Sequence, residues 1–158
     1  MCLLIAHNVI IRPAKQEDIE GIVTLCKQHA HYEKTPYQTK YKTTMLAKAL
    51  FTKTPAVECL VLELNNTLMG YSTFMKQFST WEADYYLYLD CLFLDQKVRG
   101  FGYGSMLFER IIEEAKNKDC KMIQWQTPVF NELAINFYKS KGAWYKSKER
   151  FFHNVCQD

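Results

Sequence analysis

Leu92-Phe93-Leu94-Asp95-Gln96-Lys97-Val98-Arg99-Gly100-Phe101-Gly102-Tyr103-Gly104-Ser105 passes from an apolar strand through a glycine-dense loop into an amphipathic helix. Three of the chain's six glycines fall in this loop. Without Cβ atoms, their backbone N–H groups can approach a ligand closely, and the helix behind them contributes its positive dipole end. This is a seat for a phosphate. Two other phosphate-binding motifs of the same strand-loop-helix kind do not fit. No Gly-Lys-Ser/Thr occurs in the chain, which excludes the nucleotide phosphate loop. The spacing of Gly100, Gly102 and Gly104 is G-x-G-x-G, with no acidic residue at a strand end about 20 positions on, unlike the dinucleotide fingerprint. A glycine-rich turn without a ligand is the plainer alternative.

Upstream of the loop, residues 84–94 are rich in Tyr and Leu, and strand alternation predicts Leu87, Leu89, Cys91 and Phe93 on one face with Tyr86, Tyr88 and Asp90 on the other. Asp90 is the exception within this apolar strand. Downstream, residues 103–118 carry a helical stripe of Leu107, Phe108, Ile111, Ile112 and Ala115. A short strand is expected at 122–126, broken by Pro128, then a helix opened by Asn131, carrying Leu133, Ala134, Phe137 and Tyr138 and ended by Gly142. The tail, 144–155, reads as one or two further strands.

Before residue 84, runs 57–64 and 68–78 flank Asn65-Asn66, residue types that tolerate turn geometry, and predict an antiparallel hairpin. Val9-Ile10-Ile11-Arg12 is a strand stopped by Pro13. Gln16-Glu17-Asp18 opens a helix with Ile19, Ile22, Val23 and Cys26 on one face, and His29, His31, Tyr32 and Glu33 near its end. Residues 43–52 predict a second, shorter helix. The order β-α-α-β-β-β-α-β-α-β, without repeats or linkers, predicts one α/β domain over 1–158: a mixed sheet with helices on both faces.

A chain of 158 residues can bury roughly 70% of its unfolded surface without staples. An apolar fraction of 48% and a charged fraction of 23% are those of a soluble globular protein, and no run approaches the ~20 apolar residues of a membrane span. The run Cys2 to Ala6 lacks a basic leader, so a cytoplasmic location and no membrane are expected. Six scattered cysteines without a C-x-x-C pair point to no metal and no disulfide framework. A net charge of +3 without a dense basic run argues against nucleic acid, while a small anionic ligand would account for it.

The element order and the glycine loop resemble the GCN5-related N-acetyltransferases (GNAT), which move acetyl from acetyl-CoA to an amine. The family's loop motif, [QR]-x-x-G-x-G/A, is matched by Arg99, Gly102 and Gly104, and its later helix motif, N-x-x-A-x-x-F-Y-x-x-x-G, by Asn131, Ala134, Phe137, Tyr138 and Gly142. Within the superfamily, Arg99-Gly100-Phe101-Gly102-x-Gly104-Ser105, Ile135-Asn136-Phe137-Tyr138-Lys139, Tyr32-Glu33 and Ser79-Thr80-Trp81 are similar to the spermidine/spermine (diamine) N-acetyltransferase group. That group has an adjacent acidic pair on the strand before the loop, and here the pair is Asp90-Cys91. Its Glu-Gly-Trp tail segment is replaced by Lys148-Glu149-Arg150-Phe151-Phe152.

The resemblance implies a GNAT-type sheet, mostly antiparallel and twisted, with a splayed central strand pair and acetyl-CoA as co-substrate. Leu92, Phe93 and Leu94 would meet its pantetheine arm like an added strand. Arg99, Gly100, Phe101, Gly102, Tyr103, Gly104 and Ser105 would hold its pyrophosphate, and Asn131 would cap its own helix or bind cofactor. A neutral amine is needed, so Asp90 is the expected proton acceptor, against the alternative of a structural hydrogen-bond acceptor. Tyr138 matches the family's proton donor and adjoins the cofactor. Tyr32, Glu33, Trp81, Asp90, Gln124 and Gln126 are the candidate substrate contacts. The expected substrate is a small primary amine, polyamine- or diamine-like. An aminoglycoside, a protein lysine or N-terminus, or a non-catalytic acyl-CoA-binding role are the alternatives, and a homodimer is expected from the look-alikes.

Overall fold

Asn65 and Asn66 both adopt positive φ, 50° and 63°, the twist that a two-residue hairpin turn needs. They join β2 (Glu58–Leu64) to β3 (Thr67–Ser79) as antiparallel neighbours. Around this hairpin the computed structural model, which describes residues 8–155, builds a five-stranded sheet in the order β1-β2-β3-β4-β5. Strand β1 (Val9–Pro13) lies antiparallel to β2, and β4 (Asp84–Leu94) antiparallel to β3. Strand β5 (Ile123–Gln124) runs parallel to β4. The sheet is therefore mixed and mostly antiparallel.

Pairing register decides which residues share a face. Cys59, Val61, Tyr71 and Phe93 face α1 (Ile19–Tyr32) and α2 (Lys42–Leu50), packing with Ile22, Leu25 and Leu50. Leu60, Leu62, Phe74 and Leu89 lie on the opposite face. There α3 (Tyr103–Asn117) buries Leu107, Phe108, Ile111 and Ala115. Burying a side chain of this size contributes about 1.5–3 kcal/mol. Arg12 ties the start of α1 to the sheet, its guanidinium 2.7 Å from both Asp18 and Glu63. No helix among the described residues is long and apolar enough to cross a membrane.

The chain divides into two compact units, Met1–Gln126 and Thr127–Asp158. The second contains α4 (Glu132–Ser140), whose start is capped by Asn131 Oδ1 accepting from Ala134 N–H at 3.3 Å.

Two expectations are corrected. The described tail, 144–155, forms no strand. Its aromatic residues have strand propensity, but a strand exists only by hydrogen bonding to a neighbour, and no described segment pairs with it. The four-residue apolar face expected for β4 is also split. Leu89 pairs with Phe74 and Cys91 with Thr73, so the inserted Asp90 reverses the alternation, leaving Leu89 toward α3 and Cys91 and Phe93 toward α1. The bounds of α2 and β5 differ from the expected ones by one or two residues. The run Cys2 to Ala6 and Cys156 lie outside the described residues.

Candidate active site

The bulge at Asp90 is the first element of the site. Without a partner on β3, this residue turns an exposed carboxylate out of a strand whose flanks, Leu89 and Phe93, are buried. Its Oδ2 accepts a long 3.4 Å hydrogen bond from Thr73 Oγ1 and faces Cys91 Sγ at 3.8 Å. Neither contact is strong, so the carboxylate keeps lone pairs for a further donor.

The second element is the loop that follows. Asp95 Oδ1 accepts from Lys97 N–H at 2.9 Å and starts a short 3-10 turn, Gln96–Val98, anchored by buried Val98. Arg99 Nε then donates to the Leu94 carbonyl at 3.0 Å, tying the loop back to the strand end. The Arg99 guanidinium lies 4.4 Å from the Tyr32 ring centre and 5.3 Å from that of Phe93, close enough for cation–π attraction. Gly100 and Gly102 have φ of 86° and 84°, a region side chains disfavour. A Cβ on either would meet nothing within 4 Å, so their glycines are required by conformation and the space before them is open.

Helix α3 begins just past Gly102 with no side chain capping it. Met106 N–H reaches the Gly102 carbonyl at 3.2 Å, which leaves the N–H groups of Tyr103, Gly104 and Ser105 without an intrahelical acceptor. An open, twice left-handed loop, three such donors and the nearby Arg99 fit a pyrophosphate. Beside it, β5 pairs only with Leu87 and Tyr88. Past Tyr88, no strand adjoins that edge of β4 among the described residues, so the backbone of Leu92, Phe93 and Leu94 is where an added strand would pair.

The third element went unpredicted. His29 on α1 lies between Tyr71 and Glu33, with Nδ1 3.0 Å from the Tyr71 hydroxyl and Nε2 3.3 Å from Glu33 Oε1. Its ring stacks on Phe93 at 4.9 Å. Burial lowers its pKa, against the opposing pull of Glu33. Cys26 and Cys91 pack against the core cluster that contains Tyr71, and burial pushes Tyr71 well up and Cys91 up to about 12. A signal was present in the sequence, since Cys26, His29 and Glu33 are spaced three and four apart on one helix and so share a face. Their convergence on Tyr71, 42 residues beyond His29, was not legible there.

Of the other candidates, Tyr32 lies under Arg99, and Glu33 ends α1 in its contact with His29. Gln124 stands in register with Tyr88, and Gln126 Nε2 reaches the Tyr88 hydroxyl at 3.5 Å. Trp81, 93% exposed, sits at the tip of the β3–β4 hairpin. Six strand residues, about 20 Å at 3.3 Å per residue, separate that tip from Asp90, so the fold does not bring these two together within one chain. Asn131 and Tyr138 belong to the second unit, where the Tyr138 ring packs edge-on to Phe137 at 5.2 Å.

Residues 22–143 match the Acetyltransferase (GNAT) family. The chain belongs to this family of acetyl-CoA-dependent N-acetyltransferases. The acetyltransferase is 31% identical over 143 residues to a cattle thialysine N-epsilon-acetyltransferase, covering 85% of this chain and 84% of the relative. It is 25% identical to the human spermidine/spermine N(1)-acetyltransferase-like protein 1, over 90% of this chain but 21% of that longer protein. Its fold is similar to that of an aminoglycoside N-acetyltransferase solved with CoA, with a TM-score of 0.80 at 13% identity, covering 98% of this chain and all of the other.

Proposed function

We propose that this acetyltransferase N-acetylates a small primary amine on a short alkyl chain: a diamine, a polyamine or an aminoalkyl amino acid. The observation that carries the reading is Asp90, an exposed carboxylate on the bulge of β4, on the strand that leads directly into the pyrophosphate-fitting loop. The relatives whose names specify thialysine and spermidine/spermine support the same substrate class.

Acetyl-CoA supplies the activated acetyl group, and Arg99, Gly100, Phe101, Gly102, Tyr103, Gly104 and Ser105 would hold its pyrophosphate, with Leu92, Phe93 and Leu94 along its pantetheine arm. An alkylamine of pKa about 10.4 is mostly protonated at pH 7, and freeing its lone pair costs on the order of 4–5 kcal/mol. Asp90 takes that proton, through a water where its short side chain falls short. Tyr138 donates a proton to the leaving thiolate, and Asn131 orients the helix that carries it. Tyr32, Glu33, Gln124 and Gln126 line the approach of the amine, and Trp81 offers a ring face to a cation from a neighbouring chain. In this reading the two units work as one domain, spanned by the single family match, and the enzyme is a metal-free cytoplasmic homodimer.

The test is acetyl-CoA turnover across a panel of spermidine, a diamine, thialysine, an aminoglycoside and a lysine peptide. Turnover of the first three above the last two is expected, and preference for the aminoglycoside or peptide overturns the reading. Tyr138→Phe should lower turnover while leaving acetyl-CoA affinity in place.

A further inference from the structure

The Asp90 carboxylate leads into the protein along side chains that can pass a proton. Its Oδ2 accepts from Cys91 Sγ at 3.8 Å, Cys91 packs on the α1 face against the core cluster that holds Tyr71, the Tyr71 hydroxyl lies 3.0 Å from His29 Nδ1, and His29 Nε2 lies 3.3 Å from Glu33 Oε1. Glu33 stands at the C-terminal end of α1 with its side chain 30% exposed. The series thus runs from the substrate side of the bulge, through the α1 face of the core, to a second carboxylate at the surface. We infer that His29 is the proton acceptor behind Asp90, receiving the amine proton through Cys91 and Tyr71 and releasing it by way of Glu33. The inference rests on the amine acetylation proposed above.

The donors and acceptors along this series can be ordered for the transfer. An ionised Glu33 only accepts, so it holds the proton of neutral His29 on Nε2 and leaves the Nδ1 lone pair toward Tyr71. The Tyr71 hydroxyl then donates to Nδ1, and the Cys91 thiol, which at rest donates to Asp90 Oδ2, turns to the Tyr71 oxygen once Asp90 is protonated. When the ammonium N–H bond breaks, an O–H bond forms on Asp90. That proton moves to the Cys91 sulfur as the thiol's own proton passes to the Tyr71 oxygen and the phenol's proton to His29 Nδ1. Every intermediate group ends with the proton count it began with, and the net product is an imidazolium beside the Glu33 carboxylate.

Burial keeps His29 neutral and able to accept. Four groups face it: Glu33 from α1 and Asp90 from β4, which favour the imidazolium, Arg99 from the loop, which opposes it, and Tyr71 from β3. The bulge matters because it turns Cys91 to the α1 face and toward Tyr71. In unbroken alternation with Leu89 it would point toward α3. The position where the similar diamine group carries a second acid thus holds a thiol able to pass a proton inward.

His29 acts through Asp90 and not on the substrate, as a positioning residue, so the decisive readout is the pH profile. His29→Gln, Tyr71→Phe and Cys91→Ala should each lower kcat roughly ten- to a hundredfold near pH 7, with the loss shrinking as pH rises and free amine becomes abundant. Cys91→Ser, which keeps a group able to pass a proton, should restore most of the rate lost in Cys91→Ala. A pH-independent loss in all three, or no rescue by serine, overturns the relay while leaving amine acetylation standing. Failure of the parent enzyme to acetylate any amine overturns both. Should a variant fail to fold, nitrogen-15 NMR of His29 in the parent enzyme decides: the Nε2–H tautomer at pH 7 is expected, and an imidazolium or the Nδ1–H tautomer overturns the inference.

Discussion

The two faces of the sheet are packed by different chemistry. On the α3 face, Leu60, Leu62, Phe74 and Leu89 meet a helix stripe of Leu107, Phe108, Ile111 and Ala115, with no buried titratable group among these residues. On the α1 face, Tyr71, Cys26, Cys91 and His29 bring hydroxyl, thiol and imidazole groups in among Ile22, Leu25, Val61 and Phe93. Buried polar groups of this kind are tolerated only when mutually satisfied. One face is therefore packed by apolar side chains, while the other combines packing with titratable groups beside the glycine loop. Both arise from one sheet because a single inserted residue, Asp90, changes which side of β4 faces which helix.

The contrast can be broken by substitution. The largest effect on folding is expected on the apolar face, where Ile111→Ala removes a fully buried side chain and should cost about 2–5 kcal/mol, measured by denaturant unfolding, with kcat per folded molecule retained. Loss of kcat without loss of stability would erase the division between the faces. At the bulge, Asp90→Asn should do the reverse: roughly a hundredfold lower kcat at neutral pH, partly recovered at higher pH, and a stability within about 1 kcal/mol of the parent, as its two long hydrogen bonds, from Thr73 and Cys91, imply.

A smaller effect is expected in the loop between the faces. Gly102→Val forces a β-branched residue to positive φ, at a cost of about 1–3 kcal/mol, and should weaken acetyl-CoA binding in calorimetry. Unchanged affinity in a folded variant would place the phosphate seat elsewhere. The smallest effect is a pH dependence of stability set by His29. Its folded-state pKa lies below the usual 6.5 because of burial, so the unfolded chain binds the proton first as pH falls. Stability should decline as pH drops through about 6.5 and level off once the folded protein also protonates. His29→Gln should flatten that slope. At still lower pH, Asp18, whose pKa is depressed first by its hydrogen bond from Arg12, should add a second decline beginning near its ordinary 3.8 and ending below the depressed value, in both proteins.

Much of this architecture was legible from local pattern. The Asn65-Asn66 turn, the span of β4, the apolar stripe of α3 and the Asn131 cap rest on short-range conformational preferences and on periodicity, which a sequence displays directly. So did the glycine loop, because positive φ and a helix N-terminus are properties of a few consecutive residues, and so did membership of the acetyltransferase family. Asp90 was identifiable as the acid that interrupts the apolar interior of β4. The tail strand was misread because propensity does not supply a pairing partner.

The bulge and the His29–Tyr71–Cys91 network were decided by tertiary structure. A bulge is a mismatch between two strands, invisible in either one, and its effect is to exchange faces for every residue beyond it. The polar network joins α1, β3 and β4, and its hydrogen bonds form only where register and helix packing bring distant donors and acceptors within 3.0–3.8 Å. Spacing along the chain identified the residues able to do chemistry, but which of them face one another was set by how the strands paired.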